Sequence, residues 1–182
     1  MERIEPTVTL SEPVMIPEQY RDTILQFIQA LWSHYAWHMR EQFGFHSLPP
    51  TIDASRAMIT DTLAEIALAA TGEITDEDAL AVVYEGIQGL MELLFAAPVG
   101  ITSYQIPEGF WETAIGQMVA IALLKVRGDD LITISEAAEL RSVSVPAISQ
   151  AIDAHRLRAY HDPEAPSRQG RRLVSRREVE SM

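Results

Sequence analysis

The sequence predicts a mainly α-helical chain in two parts. An acidic helical bundle spans residues 1–130, and a shorter unit of small helices with one β-hairpin spans residues 131–182. Three observations predict this division. Apolar side chains recur at helical spacing through four long stretches that all end before Gly128. Residues 1–130 carry 6 Lys and Arg against 19 Asp and Glu, whereas residues 131–182 carry 8 Arg against 7 acids, within a chain of net charge -12. Of 13 aromatic residues, 12 lie at or before Trp111 and only Tyr160 lies beyond, so large core-filling side chains belong to the first part. The boundary is placed at Gly128-Asp129-Asp130, where a glycine ends an apolar run and two acids precede a new start.

Taken in order, residues 1–17, with Pro6, Pro13 and Pro17, read as an extended arm. A first helix from Pro17 to Phe43 places Tyr20, Ile24, Phe27, Ile28, Leu31, Tyr35 and Met39 on one face, with Gly44 as its stop. Pro49-Pro50 breaks the chain, and a second helix runs from Asp53 to Ala70, ending at Gly72. Thr75 with Asp78 resembles a capping box that opens a third helix through Leu80, Val83, Tyr84, Ile87, Met91 and Leu94 to Pro98. Gly86 and Gly89 on it predict a close crossing. A fourth helix starts after Pro107 and runs through Phe110, Trp111, Ile115, Met118, Ala122 and Val126 to Gly128. With Met118, Val119, Ile121, Leu123 and Leu124 it is apolar on nearly every side and must be buried, either as the central helix of the bundle or across a two-fold interface.

In the second part, Thr133 and Glu136 form a capping box for a short helix, Ser135 to Leu140. Arg141-Ser142-Val143 is a tight turn, and Ser144 caps a second helix through Ile148 and Ile152. Two short helices joined this way form a helix-turn-helix, whose second helix is shaped for a DNA major groove. Leu157 to His161 reads as a strand, Asp162 to Gly170 as a turn with two prolines, and Arg171 to Val174 as the returning strand of a wing. Ser175 and Glu178 make a further capping box that opens a last helix.

Ser135-Glu136-Ala137-Ala138-Glu139-Leu140, Val143-Ser144, Ile148, Ile152, Arg156-Leu157 and the run from Gly170 to Val179 follow one another in the order of a known pattern. The segment resembles the excisionase and MerR-like winged helix-turn-helix family over roughly residues 131–180, less than a third of the chain. The resemblance implies sequence-specific binding of double-stranded DNA, with the 144–155 helix in the major groove and the 157–174 wing on the backbone. Ser142 stands where the family's turn usually has glycine, and the helix bears Pro146, Ala147, Gln150 and Asp153 rather than cations.

The candidate DNA-binding residues are Ser144, Ala147, Ser149, Gln150, Arg156, Arg158, Arg168, Gln169, Arg171, Arg172 and Arg176. Clustered arginines neutralise phosphates and release counterions, and a glutamine can read adenine by paired hydrogen bonds. The competing reading of the arginines is a solvated face that pairs with the chain's own acids. His34 and His38, four apart with Glu41 and His46 nearby, have a spacing that suits a metal, yet they continue an amphipathic stripe and lack a full ligand set. Asp76, Glu77 and Asp78 sit where a helix dipole favours acids. No phosphate loop, nucleophile elbow or metalloprotease motif is present in the sequence, so neither catalysis nor a cofactor is expected.

The absence of cysteine excludes a disulfide framework, thiolate metal sites and thiol nucleophiles. The start, Met1-Glu2-Arg3-Ile4-Glu5, lacks the basic and apolar regions of a signal peptide. The run Met118 to Leu124 falls far short of the roughly 18 apolar residues of a membrane span. The expectation is a cytoplasmic, nucleoid-associated transcriptional regulator, a homodimer whose first 130 residues serve dimerisation or bind an effector or protein partner. An excisionase-like recombination factor that bends DNA, and a protein-interaction module built on a repurposed winged helix, are the alternatives.

Overall fold

The structure is a computed structural model that describes residues 14–96, 104–161 and 172–182. Among them it is mainly helical, with seven α-helices and one three-stranded antiparallel sheet. Residues 1–13 of the expected N-terminal arm lie outside the described residues.

Four helices build the first part: α1 (Glu18–Phe43), α2 (Met58–Thr71), α3 (Glu77–Phe95) and α4 (Ala114–Val126). α2 and α4 form the central pair, and α1 and α3 each pack against both. α2 serves this role because its Leu63, Ala64, Ile66, Ala67, Ala69 and Ala70 are all buried, and small side chains let neighbouring helices approach. α4 is the buried central helix that its composition required, with Ile115, Met118, Val119, Ala120, Ile121 and Ala122 covered by the chain's own side chains. Its apolar surface is therefore satisfied without a two-fold partner.

Several boundaries differ from the sequence reading. Asp53 opens only a short 3-10 turn, Ala54–Arg56, by accepting from the Ser55 amide, and the backbone is extended at Ala57 before α2 starts at Met58. α3 is capped by Asp76, whose carboxylate accepts from the Ala79 amide, so its start lies one residue after the expected Thr75. Pro107 begins a second 3-10 turn, Glu108–Glu112, and α4 starts only at Ala114, where the Thr113 hydroxyl accepts from the Gly116 amide. The turn folds back over α4 so closely that a Cβ on Gly116 would lie 1.9 Å from the Phe110 carbonyl oxygen. Of the two glycines on α3, only Gly86 marks a close approach, with Thr62 Cγ2 at 3.0 Å from where its Cβ would be. Gly89 meets nothing within 4 Å.

The second part runs β1 (Leu131–Thr133), α5 (Ile134–Arg141), α6 (Val145–Asp153), β2 (Ala159–His161), β3 (Arg172–Ser175) and α7 (Arg176–Ser181). β1, with three residues, is too short to show alternation in the sequence. It completes a sheet of order β1-β3-β2, in which Ile132 pairs with Val174 and Tyr160 with Leu173. Side chains alternate across a strand. Here Ile132 and Val174 enter a small core with Ala137, Ala138, Ile148, Ala151, Leu157 and Val179. Leu131, Tyr160 and Leu173 instead pack against the core of the bundle. The sheet thus separates the two cores and touches both.

The proposed boundary is a tether. Asp129 is 8% exposed, and its carboxylate accepts from the Ser175 hydroxyl at 2.5 Å and from the Asp130 and Arg177 amides at 2.8 and 3.2 Å. The Arg176 amide donates to the Asp130 carbonyl at 2.8 Å. The residues joining the two parts are bonded to the start of α7. Among the described residues no helix is long and apolar enough to cross a membrane.

Candidate nucleic-acid interface

The site is assembled from α5, α6 and the sheet. The Thr133–Glu136 capping box forms on both sides, with the Thr133 amide donating to Glu136 at 2.7 Å and the Glu136 amide to the Thr133 hydroxyl at 3.2 Å. It fixes the entry to α5. Ser142 ends that helix in the left-handed conformation, φ 52° and ψ 41°, the conformation for which glycine is the usual choice. The turn geometry is therefore attained with serine. α6 follows with Pro146 in its first turn, and Ser144 stands at the N-cap position without a side-chain cap bond, unlike the capping role expected for it.

Burial divides α6 cleanly. Ile148 and Ala151 are buried and Ile152 is half-buried against the small core, whereas Val145, Pro146, Gln150 and Asp153 are exposed. Among the expected DNA-binding residues, Ser144 and Gln150 are exposed, and Ala147 and Ser149 are half-buried. Arg156, Arg158, Arg172 and Arg176 are exposed. Arg168, Gln169 and Arg171 lie outside the described residues, as does the expected turn from Asp162 to Gly170.

Two of these arginines have neighbours within the chain. Arg172 Nη1 lies 3.5 Å from Asp153 Oδ1, which brings the first residue of β3 beside the last turn of α6. Both side chains are about half exposed or more, so the pair adds little stability, and its effect is to neutralise charge locally. Arg158 donates its amide to Glu178 at 3.3 Å, and the expected Ser175–Glu178 box is incomplete. Only the Ser175 half forms, with the Glu178 amide donating to the Ser175 hydroxyl at 3.0 Å. Beside it, burial pushes the Tyr160 phenol above its ordinary value. The Glu178 charge adds to this rise, and Arg158 opposes it.

Two features went unread in the sequence. Leu140, Val143 and Val145 are exposed around the α5–α6 turn. A cleft of about 810 Å³ runs between the Glu108–Glu112 turn and the second part, with Glu108, Trp111 and Glu112 on one wall and Asp153, Arg158 and Arg172 on the other. The cleft joins residues far apart in sequence, and exposure around the α5–α6 turn depends on how the two helices pack, which local spacing does not supply.

The alternative sites take simpler roles. His34 and His38 stack edge to face with ring centroids 4.5 Å apart, and His38 Nδ1 lies 3.1 Å from the Gln42 amide nitrogen. Among the described residues no three His, Asp or Glu side chains converge as a metal would require. Asp76 is occupied as a helix cap. Comparison with protein-family models, with curated proteins and with solved structures gave no match.

Proposed function

We propose that the chain is a sequence-specific double-stranded DNA-binding protein, a transcriptional regulator that uses residues 131–182 as a winged helix-turn-helix. α6 enters the major groove, and the 157–174 wing lies on the backbone. The observation that carries this reading is the exposure of Arg156, Arg158, Arg172 and Arg176 around a helix, α6, whose outer face is free of core contacts, with Asp153 offsetting only Arg172. Phosphate contact and base reading then fall to adjacent surfaces, as a duplex requires. The left-handed turn at Ser142 and the separate small core support it, because they pack two short helices, α5 and α6, against one another. An architectural role in recombination uses the same surface and differs in bending the duplex.

One observation favours a second reading. Exposed Leu140, Val143 and Val145 around the α5–α6 turn, with Asp153 at the far end of α6, also suit a protein-interaction module.

Selection of bound sites from a random duplex library, followed by salt titration, tests the proposal. Replacing Arg171 and Arg172 with Ala weakens binding to all duplexes and flattens the slope of log K against log salt by up to about 2 units, roughly one per lost phosphate contact. Gln150→Ala leaves the slope unchanged and costs about 1–3 kcal/mol at the selected site alone. Failure to select any duplex overturns the reading, and recovery of a protein that Val143→Glu releases puts the interaction module in its place.

A further inference from the structure

The core stripe of α1 runs on past the bundle that uses it. Ile24, Ile28 and Ala36 are buried, but Tyr35, Met39 and Phe43, spaced four apart along one edge of the helix, are 42%, 36% and 66% exposed. The Tyr35 hydroxyl donates to the Leu93 carbonyl at 2.9 Å, so the stripe adjoins the last turn of α3, where Leu93 is also exposed. Phe45, just past Gly44, is exposed too. Scattered apolar side chains are ordinary on a surface, but five gathered along one helix edge, its exit and the adjoining turn of α3 suit an interface.

We propose that the distal half of α1 is a homodimer interface, pairing antiparallel with α1 of a second copy about a two-fold axis near Met39. Charge selects this occupant. Residues 31–50 carry one Arg and one Glu, whereas residues 1–130 as a whole carry -13. The stretch is balanced in charge within an acidic chain, so two copies meet here without like-charge repulsion. Arg40 Nε donates to the Ala36 carbonyl at 3.1 Å, and the Arg40 charge is balanced by Glu41 beside it in sequence. A net charge of -12 opposes an anionic lipid surface. In an antiparallel pair, Met39 meets its own copy while Tyr35 meets Phe43, a self-complementary arrangement of thioether and aromatic rings. Association is independent of the DNA-binding reading and is measured without DNA.

Sedimentation of the full chain at micromolar concentration gives twice the 20.3 kDa of one copy. Phe43→Glu weakens association by roughly tenfold or more, because each dimer buries the new carboxylate twice, and it leaves the circular dichroism spectrum unchanged. The chain has no cysteine, so Met39→Cys gives one thiol per copy. On mild oxidation it cross-links dimers, whereas Met58→Cys, at a 92% exposed position on α2, does not. A particle of single-chain mass throughout the concentration range overturns the proposal. So does a dimer that Phe43→Glu leaves intact, or one in which Met39→Cys cross-links no better than Met58→Cys.

Discussion

Where α2 and α4 meet, Leu63, Ile66, Met118 and Val119 are all fully buried, and at the start of α4 Gly116 admits the backbone of the Glu108–Glu112 turn where no Cβ would fit. Around α5, α6 and α7 the core holds three alanines, and order depends on Thr133, Ser142, Ser175 and Asp129 at element ends. The bundle is held by volume and the second part by termini. A small module with little apolar area has few other means, and here it also borrows burial for Tyr160 from its neighbour. The difference teaches that the two parts respond to different kinds of substitution.

The largest expected effect is in the bundle. Gly116→Ala drives a methyl group into the Phe110 carbonyl and costs about 3 kcal/mol in urea unfolding. Gly89→Ala, on α3 with open space around it, gains about 0.5–1 kcal/mol. Equal responses at the two positions would break the packing account of the bundle.

Next comes the tether. Asp129→Ala strands the Ser175 hydroxyl and the Arg177 amide and costs about 1–3 kcal/mol. Hydrogen exchange localises the loss, with α7 and β3 amides exchanging faster while those of α2 and α4 keep their protection. Uniform loss across both parts would show that they unfold as one unit.

Tyr160 sharpens the comparison by pH. Burial raises its folded pKa above 10.0, so its contribution is complete below that value and is lost as pH rises from there through the folded value. Tyr160→Phe removes this part of the alkaline loss, which is read as a shallower fall in thermal midpoint above pH 10. The smallest effect is at the α5–α6 turn, where Ser142→Gly relieves a left-handed serine and gains up to about 1 kcal/mol.

Much of the fold was legible because it is local. The stripe from Tyr20 to Ile28, the stops at Gly44, Gly72 and Gly128 and the Thr133 box all act within one or two helical turns, and each stands where the spacing put it. Asp53 and Pro107 misled because a 3-10 turn and an α-helix share their first residues, and the extended backbone at Ala57 and Thr113 separates them. Asp76 outcompeted Thr75 as a cap one residue away. In the candidate site, exposure of Gln150 and of four arginines was legible from helical phase and charge. The Asp153–Arg172 pair and the Asp129–Ser175 bond were not, since they span 19 and 46 residues and no local pattern encodes them.

The strand order has a consequence for synthesis. β3 lies between β1 and β2, and it is the last of the three to be made. A ribosome that has released Leu131 and Tyr160 has delivered two edges with no centre, and neither can pair until Arg172–Ser175 emerges. The four helices of the bundle are complete by Val126, so they can collapse while the rest is still being translated. The nascent chain therefore carries its acidic helices ahead of a second part whose sheet waits for β3, so assembly of that sheet is timed by its last strand rather than by its first.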